Sequence, residues 1–168
     1  MIYIIGYMGS GKTTIGKKLA QKIGFPFIDI DEEIKRYTQI SITEIFRIYG
    51  EIYFRSLEKK ILNKINTDHV VSCGGGLPIY SNNMDFIINN GKSIYLKTPI
   101  NILFNRLKNN KKERPIIENI EEDELEDFIR KQSLQREQIY NKATYTIKTK
   151  EKTEDEVLRE INSLIITS

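Results

Sequence analysis

Gly6-Tyr7-Met8-Gly9-Ser10-Gly11-Lys12-Thr13 stands between a short apolar run, Ile2-Tyr3-Ile4-Ile5, and a stretch with Ile15, Leu19, Ala20 and Ile23 at helical spacing. It fits the phosphate-loop pattern G-x-x-x-x-G-K-[ST] in its required setting, a strand before and a helix after. The glycines let the backbone wrap an anion, and the N–H groups of the loop and of the helix start point at it. Lys12 supplies a positive charge for the β- and γ-phosphates, and the Thr13 hydroxyl is a candidate ligand for Mg2+. Gly9, Ser10, Gly11, Lys12, Thr13 and Thr14 are therefore read as the ATP-binding stretch.

Working outward, Gly24 ends the first helix. Phe25 to Asp31 reads as a second strand and its exit, His69 to Cys73 as a third, Ser93 to Leu96 as a fourth and Tyr145 to Ile147 as a fifth. Helical patterns separate them. Ser41-Ile42-Thr43-Glu44 and Thr153-x-x-Glu156 have the form of capping boxes, each opening a helix. Gly50 interrupts the helical pattern that continues through Phe54, Leu57, Ile61 and Leu62. Further helices are expected from about Asn82 to Asn90, from Thr98-Pro99 with proline at the first position, and from Glu124 to Tyr140. Lys108 to Glu124 is polar apart from Pro115-Ile116-Ile117 and reads as a mobile surface excursion. Strand and helix alternate, which implies a parallel sheet with helices on both faces. Ligands of such sheets bind beyond the carboxyl ends of the strands. The phosphate loop, Asp29 with Asp31, and Gly74-Gly75-Gly76 all follow strands, so they are expected at one edge.

The chain has 168 residues, the size of one domain. It is 39% hydrophobic and 29% charged, with a formal net charge of +3. That balance is too mild to point to nucleic acid, and no basic stripe with interleaved aromatics stands out. The opening apolar run is too short for a membrane span. A single cysteine, Cys73, excludes an internal disulfide. The protein is expected to be cytoplasmic and monomeric, with no nucleic-acid or membrane partner. His69, the one histidine, reads as structural or exposed, and Cys73 as a small packed residue.

Asp29 and Asp31 lie two apart, which would put both on one side of a strand that continued that far. Beside a triphosphate they suit Mg2+, or one binding metal and one orienting a nucleophile. Asp31 could instead cap a helix starting at Glu32. The third strand, Val70-Val71-Ser72-Cys73, ends without an aspartate, so Asp29 is the candidate to hold the metal site. The glycine triplet offers bare backbone to a ligand. Arg55, Arg106, Arg114 and Arg136 are the other candidate cations, since guanidinium groups grip carboxylates and phosphates bidentately. Arg114 lies in the polar excursion, where a closing lid needs a cation. Arg136 and Tyr140 share a helix face.

Six segments in order resemble the shikimate kinase family across nearly the whole chain. The phosphate loop is one. Phe27-Ile28-Asp29-Ile30-Asp31 resembles the family's D-x-D motif, and Gly50 to Glu58 its G-E-x-x-F-R-x-x-E. Gly74-Gly75-Gly76 resembles its glycine triplet, Arg114-Pro115-Ile116-Ile117 the R-P-L-L of its lid, and Arg136 to Tyr140 its R-x-x-x-Y. The resemblance implies a single P-loop kinase domain over 1–168, three-layered, with a five-stranded parallel sheet, a substrate-binding helical region at about 32–62 and a lid at about 108–124. It implies transfer of the γ-phosphoryl group of MgATP to the 3-hydroxyl of shikimate, on the way to chorismate and aromatic amino acids. Lys12, Asp31 and Arg114 would be catalytic. Arg106 and Arg114 would join the ATP site, with Arg106 on the adenine. Asp31, Arg55, Gly74, Gly75, Gly76 and Arg136 would bind shikimate, and Thr13 and Asp29 would hold Mg2+. Lys148 to Thr153 would form the adenine loop. The sequence departs at Ile116 and Ile117, where leucines are usual, and at Glu113, where a small residue is. The alternative is another small P-loop kinase acting on a gluconate-like acid or a nucleotide. A GTPase switch is disfavoured, since no aspartate precedes a glycine by three and no N-K-x-D is present.

Overall fold

The structure, a computed structural model, describes residues 1–111 and 114–166. Five strands form one sheet: β1 (Ile2–Ile5), β2 (Phe27–Asp29), β3 (Val70–Ser72), β4 (Lys92–Lys97) and β5 (Tyr145–Lys148). Their order is β2-β3-β1-β4-β5, and every pairing is parallel. Among the described residues seven α-helices accompany them: α1 (Lys12–Ile23), α2 (Ile30–Thr38), α3 (Ile42–Leu62), α4 (Asn83–Asn90), α5 (Ile100–Lys108), α6 (Glu122–Tyr140) and α7 (Glu154–Ile166).

The central strand shows why helices must cover both faces. All four residues of β1 are buried. Tyr3 and Ile5 pack to one side with Ile30, Ile34, Ile45, Leu57 and Tyr140, beneath α2, α3 and the end of α6. Ile2 and Ile4 point to the other side and meet Ile15 and Leu19 of α1 and Val157, Leu158 and Ile161 of α7. A strand apolar on both faces belongs inside a parallel sheet. A third cluster ties Tyr7 and Met8 of the phosphate loop to Leu103 and Leu107 of α5 and to Leu125 and Ile129 of α6.

Local signals end the elements. Gly24 closes α1 in the left-handed conformation. Ser41 and Glu44 form the reciprocal capping box of α3, and Thr153 and Glu156 make the same bonds before α7. Gly50 has φ 79° and ψ 171° inside α3, so the helix is kinked there. Such a φ is open to glycine at little cost.

Four expectations shift. β2 stops at Asp29 and α2 begins at Ile30, so Asp31 lies on a helix and not on a strand. Asp29, not Asp31, is the capping residue, and its side chain accepts from the Asp31 N–H. Pro99 is the residue before α5 and not its first turn. The polar excursion is shorter than 108–124, because Lys108 belongs to α5 and α6 starts at Glu122. It is also anchored: Ile117 is fully buried in the third cluster, with Ile116 and Ile120 packed beside it. Glu113 lies outside the described residues.

Candidate active site

The carboxyl ends of β1, β2 and β3 open onto one cavity of about 940 Å³. The phosphate loop forms one wall. Lys12 is buried, and its ammonium donates to the Tyr7 carbonyl at 2.9 Å. Burial pulls its pKa down to about 8, against the pull of Asp31 and with a further push from the Arg114 charge. The Thr13 hydroxyl donates to Asp29 Oδ2 at 2.7 Å. Asp29 Oδ1 takes the Asp31 N–H at 3.1 Å. Arg106 reaches back from α5 and donates to the Gly9 carbonyl at 2.8 Å. Thr14 lines the cavity. Ser10 is buried, with its hydroxyl unpartnered, and does not line it.

The opposite wall is built from α3, the exit of β3 and α6. Arg55 is 7% exposed and donates to Glu58 Oε2 at 2.7 Å and to Glu51 Oε1 at 2.8 and 3.1 Å. Its guanidinium carbon lies 5.2 Å from the Phe54 ring centre. Burial disfavours its charge, but the two glutamates outweigh that and push its pKa up. Glu58, on the next turn, is 0% exposed. Burial, helped by Asp31 and offset by Arg55, raises its pKa to about 7. Asp31 faces the same wall from α2. Burial and then Asp29 raise its pKa, while Lys12, Arg55 and Arg114 hold it down.

The glycine triplet serves these side chains. A Cβ on Gly76 would stand 2.4 Å from the Arg55 guanidinium, and one on Gly74 would stand 2.5 Å from Glu58 Oε1 and 3.1 Å from Asp31 Oδ1. One on Gly75 would meet the Met8 N–H at 3.1 Å and an Arg136 nitrogen at 3.5 Å. The space first read as bare backbone for a ligand is in large part occupied by the protein's own charges. The Tyr140 hydroxyl donates to the Gly75 carbonyl, and Arg136 one turn earlier lies 5.2 Å over the Tyr7 ring. Arg136 and Tyr140, on one helix face as their spacing predicts, both stand against Gly75.

Four polar atoms in this half are buried without a partner: Asp31 Oδ1, Glu58 Oε1, Arg114 Nε and Arg136 NH1. Such atoms are costly unless something completes them. Arg114, Pro115 and Ile116 close the cavity from the short excursion. Thus Arg55, Arg114, Arg136, Asp31, the triplet and the phosphate loop share one chamber. Arg106 lines its phosphate-loop end, and Lys148 to Thr153 does not line it, although Glu154 does.

Glu58 stands within the Gly50 to Glu58 segment, and the family resemblance assigns it no role. Its spacing of three from Arg55 on a helix was the available signal. Cys73 lines the cavity and is fully buried, which pushes its thiol pKa up and makes it inert. His69 is paired to the Thr67 carbonyl away from the chamber.

A family model described as shikimate kinase matches residues 8–165. The chain belongs to the shikimate kinase family. A curated shikimate kinase from Flavobacterium johnsoniae is 38% identical, covering 98% of each chain. The solved shikimate kinase of Bacteroides thetaiotaomicron superposes with a TM-score of 0.90 at 36% identity, covering 98% of this chain and 97% of that one. The Acinetobacter baumannii shikimate kinase in complex with shikimate gives 0.91 at 34% identity, covering 99% and 92%. Shikimate kinases are ATP-dependent kinases, and this chain is such an enzyme. No described helix is long and apolar enough to cross a membrane.

Proposed function

We propose that the enzyme transfers the γ-phosphoryl group of ATP to the 3-hydroxyl of shikimate, giving shikimate 3-phosphate and ADP. The observation that carries this reading is the acid half of the chamber: buried Arg55 and the unpartnered Arg136 nitrogen stand beside the carboxylate of Asp31, next to the phosphate loop. Two guanidinium groups suit a substrate carboxylate. Asp31 suits a hydroxyl that must be held and deprotonated.

Each residue then has a task. Gly9, Gly11, Lys12, Thr13 and Thr14 cradle the phosphates, and Arg106 lies at the adenine end. Ser10 supports the loop from within. Arg55 and Arg136 hold the acid's carboxylate, with Gly74, Gly75 and Gly76 beneath it. Asp31 orients the attacking hydroxyl and takes its proton. Lys12 and Arg114 stabilise charge on the transferring group. The segment 109–121 serves as the lid, with Ile117 as its anchor, and excludes water as a competing acceptor. The helical region 32–62 carries the acid site within one domain.

Mg2+ fits the chamber. The Thr13 hydroxyl and the Asp29 carboxylate are hard oxygen donors held against one another at 2.7 Å. Among the described residues there is no cluster of three or more acidic, histidine or cysteine groups that could cage a metal. When bound, Mg2+ would neutralise charge on the β- and γ-phosphates. The protein is read as a cytoplasmic monomer.

The test is ADP release with MgATP and a panel of acceptors. Turnover on shikimate, with little on gluconate, quinate or nucleoside monophosphates, is the expected result. Turnover on another acceptor and none on shikimate would overturn the assignment of Arg55, Arg136 and Asp31.

A further inference from the structure

Glu58 is a buried carboxylate in the wall of the chamber. It is 0% exposed, and only Oε2 is paired, to Arg55 at 2.7 Å. Oε1 has no partner, nor has Asp31 Oδ1 across from it. Both oxygens lie within 3.1 Å of the single point where a Gly74 Cβ would stand. Two carboxylate oxygens thus stand close to one point, each without a donor.

The charges around Glu58 come from three elements. Arg55 and Glu51 share its helix, Asp31 faces it from α2, and buried Cys73 stands at the exit of β3. Among the described residues Arg55 is the cation directly against Glu58, and it is already shared with Glu51. A substrate carboxylate arriving on Arg55 adds a further negative charge to a guanidinium that serves two glutamates. A like charge nearby favours the neutral form of a buried carboxyl.

We infer that docking of the acid on Arg55 places a proton on Glu58, taken from solvent, so that substrate binding is coupled to uptake of about one proton. The neutral carboxyl can then donate from Oε1 toward Asp31 Oδ1, which satisfies both orphaned oxygens. Arg55 is thereby left with one fewer competing anion and can turn to the substrate. The raised affinity of Glu58 for a proton is already present in the free protein, where burial lifts its pKa to about 7. The inference rests on the reading of Arg55 as the acid's holder.

The sign follows from linkage. Well below pH 7 Glu58 is protonated before the acid arrives, so no proton is taken up. Above pH 7 it is ionised in the free protein and must be protonated on binding, so affinity falls as pH rises. The dissociation constant then climbs by up to about tenfold per pH unit until the complex itself loses the proton.

The experiment is calorimetric titration of the whole chain with shikimate alone, without nucleotide or metal, in buffers of different ionisation enthalpy at pH 5.5, 7 and 8. Proton uptake near zero at pH 5.5 and approaching one at pH 8 is expected. Glu58→Gln should bind with uptake near zero at every pH and a flat dissociation constant. Binding without uptake at pH 8 overturns the inference and leaves the acid-holding reading intact. Uptake that persists in Glu58→Gln also overturns it. No binding at all overturns both. Should Glu58→Gln fail to fold, the pH course of the parent's proton count decides alone.

Discussion

The two halves of the chamber are satisfied in opposite ways. In the phosphate half, Lys12 is bonded to the Tyr7 carbonyl, Thr13 to Asp29, Asp29 to the Asp31 N–H and Arg106 to the Gly9 carbonyl. Among the buried side-chain atoms of the described residues, the Ser10 hydroxyl is the one left unpartnered there. In the acid half, Asp31, Glu58, Arg114 and Arg136 each keep a buried polar atom without a partner. The first half is complete before its ligand arrives and is preorganised by short-range bonds. The second keeps polar atoms buried without partners, which carries a cost in the free protein.

The comparison can be broken in order of expected effect. Lys12→Met should lower kcat by about a thousandfold or more, since the cation acts on charge in the transition state. The fold should survive, because removing a buried charge does not open the core. A melting temperature reduced by more than a few degrees would show that Lys12 holds the fold as well. Arg136→Ala should weaken shikimate binding by about ten- to a hundredfold, the range of a hydrogen bond to a charged group. ATP affinity should change by less than about threefold. Equal loss of both ligands, in parallel titrations, would erase the division into halves.

Gly76→Ala sharpens the same division from the backbone. Its new methyl would lie 2.4 Å from the Arg55 guanidinium, so Arg55 must move. Overpacking of this kind costs about 1–3 kcal/mol, and the expected kinetic sign is a raised KM for shikimate with KM for ATP unchanged. Stability alone gives the smallest reading. Glu58 has a folded pKa of about 7, above the usual carboxylate range, so the folded state binds its proton more tightly than the unfolded chain. Its contribution is fully present below about pH 4.5 and is lost as pH rises through 7. Relative to the parent, Glu58→Gln should therefore become more stable as pH goes from 5 to 8, by roughly 3 kcal/mol at most. Chemical denaturation at both pH values measures this, and a constant difference would contradict it.

What was legible in the chain follows the same line. β1, the phosphate loop, α1, the Gly24 end, the two capping boxes and the Gly50 break are each set by residues within a few positions of one another. The alternation of strands and helices spelled out a parallel sheet, but the order β2-β3-β1-β4-β5 depends on contacts between distant segments. The Asp29 and Asp31 pair shows the limit at short range. Spacing of two suggests a strand face, yet Asp29 caps α2 and Asp31 lies in its first turn, because the strand ends two residues sooner than the pattern implies. Glu58 shows the limit at long range: its spacing from Arg55 is visible, but its burial against Gly74 and Asp31 is made by three separate elements. Ile117 is similar, an apolar residue in a polar stretch whose partners lie on α5, α6 and the phosphate loop.

The central claim is that the buried Arg55 and the half-buried Arg136 hold the carboxylate of the acceptor. Calorimetric titration with shikimate and with its methyl ester tests this without altering the protein. The ester keeps the ring and hydroxyls and loses the charge. An affinity at least about thirtyfold weaker for the ester is predicted, from the loss of charge-assisted hydrogen bonds at Arg55 and Arg136. Equal affinities would contradict the account.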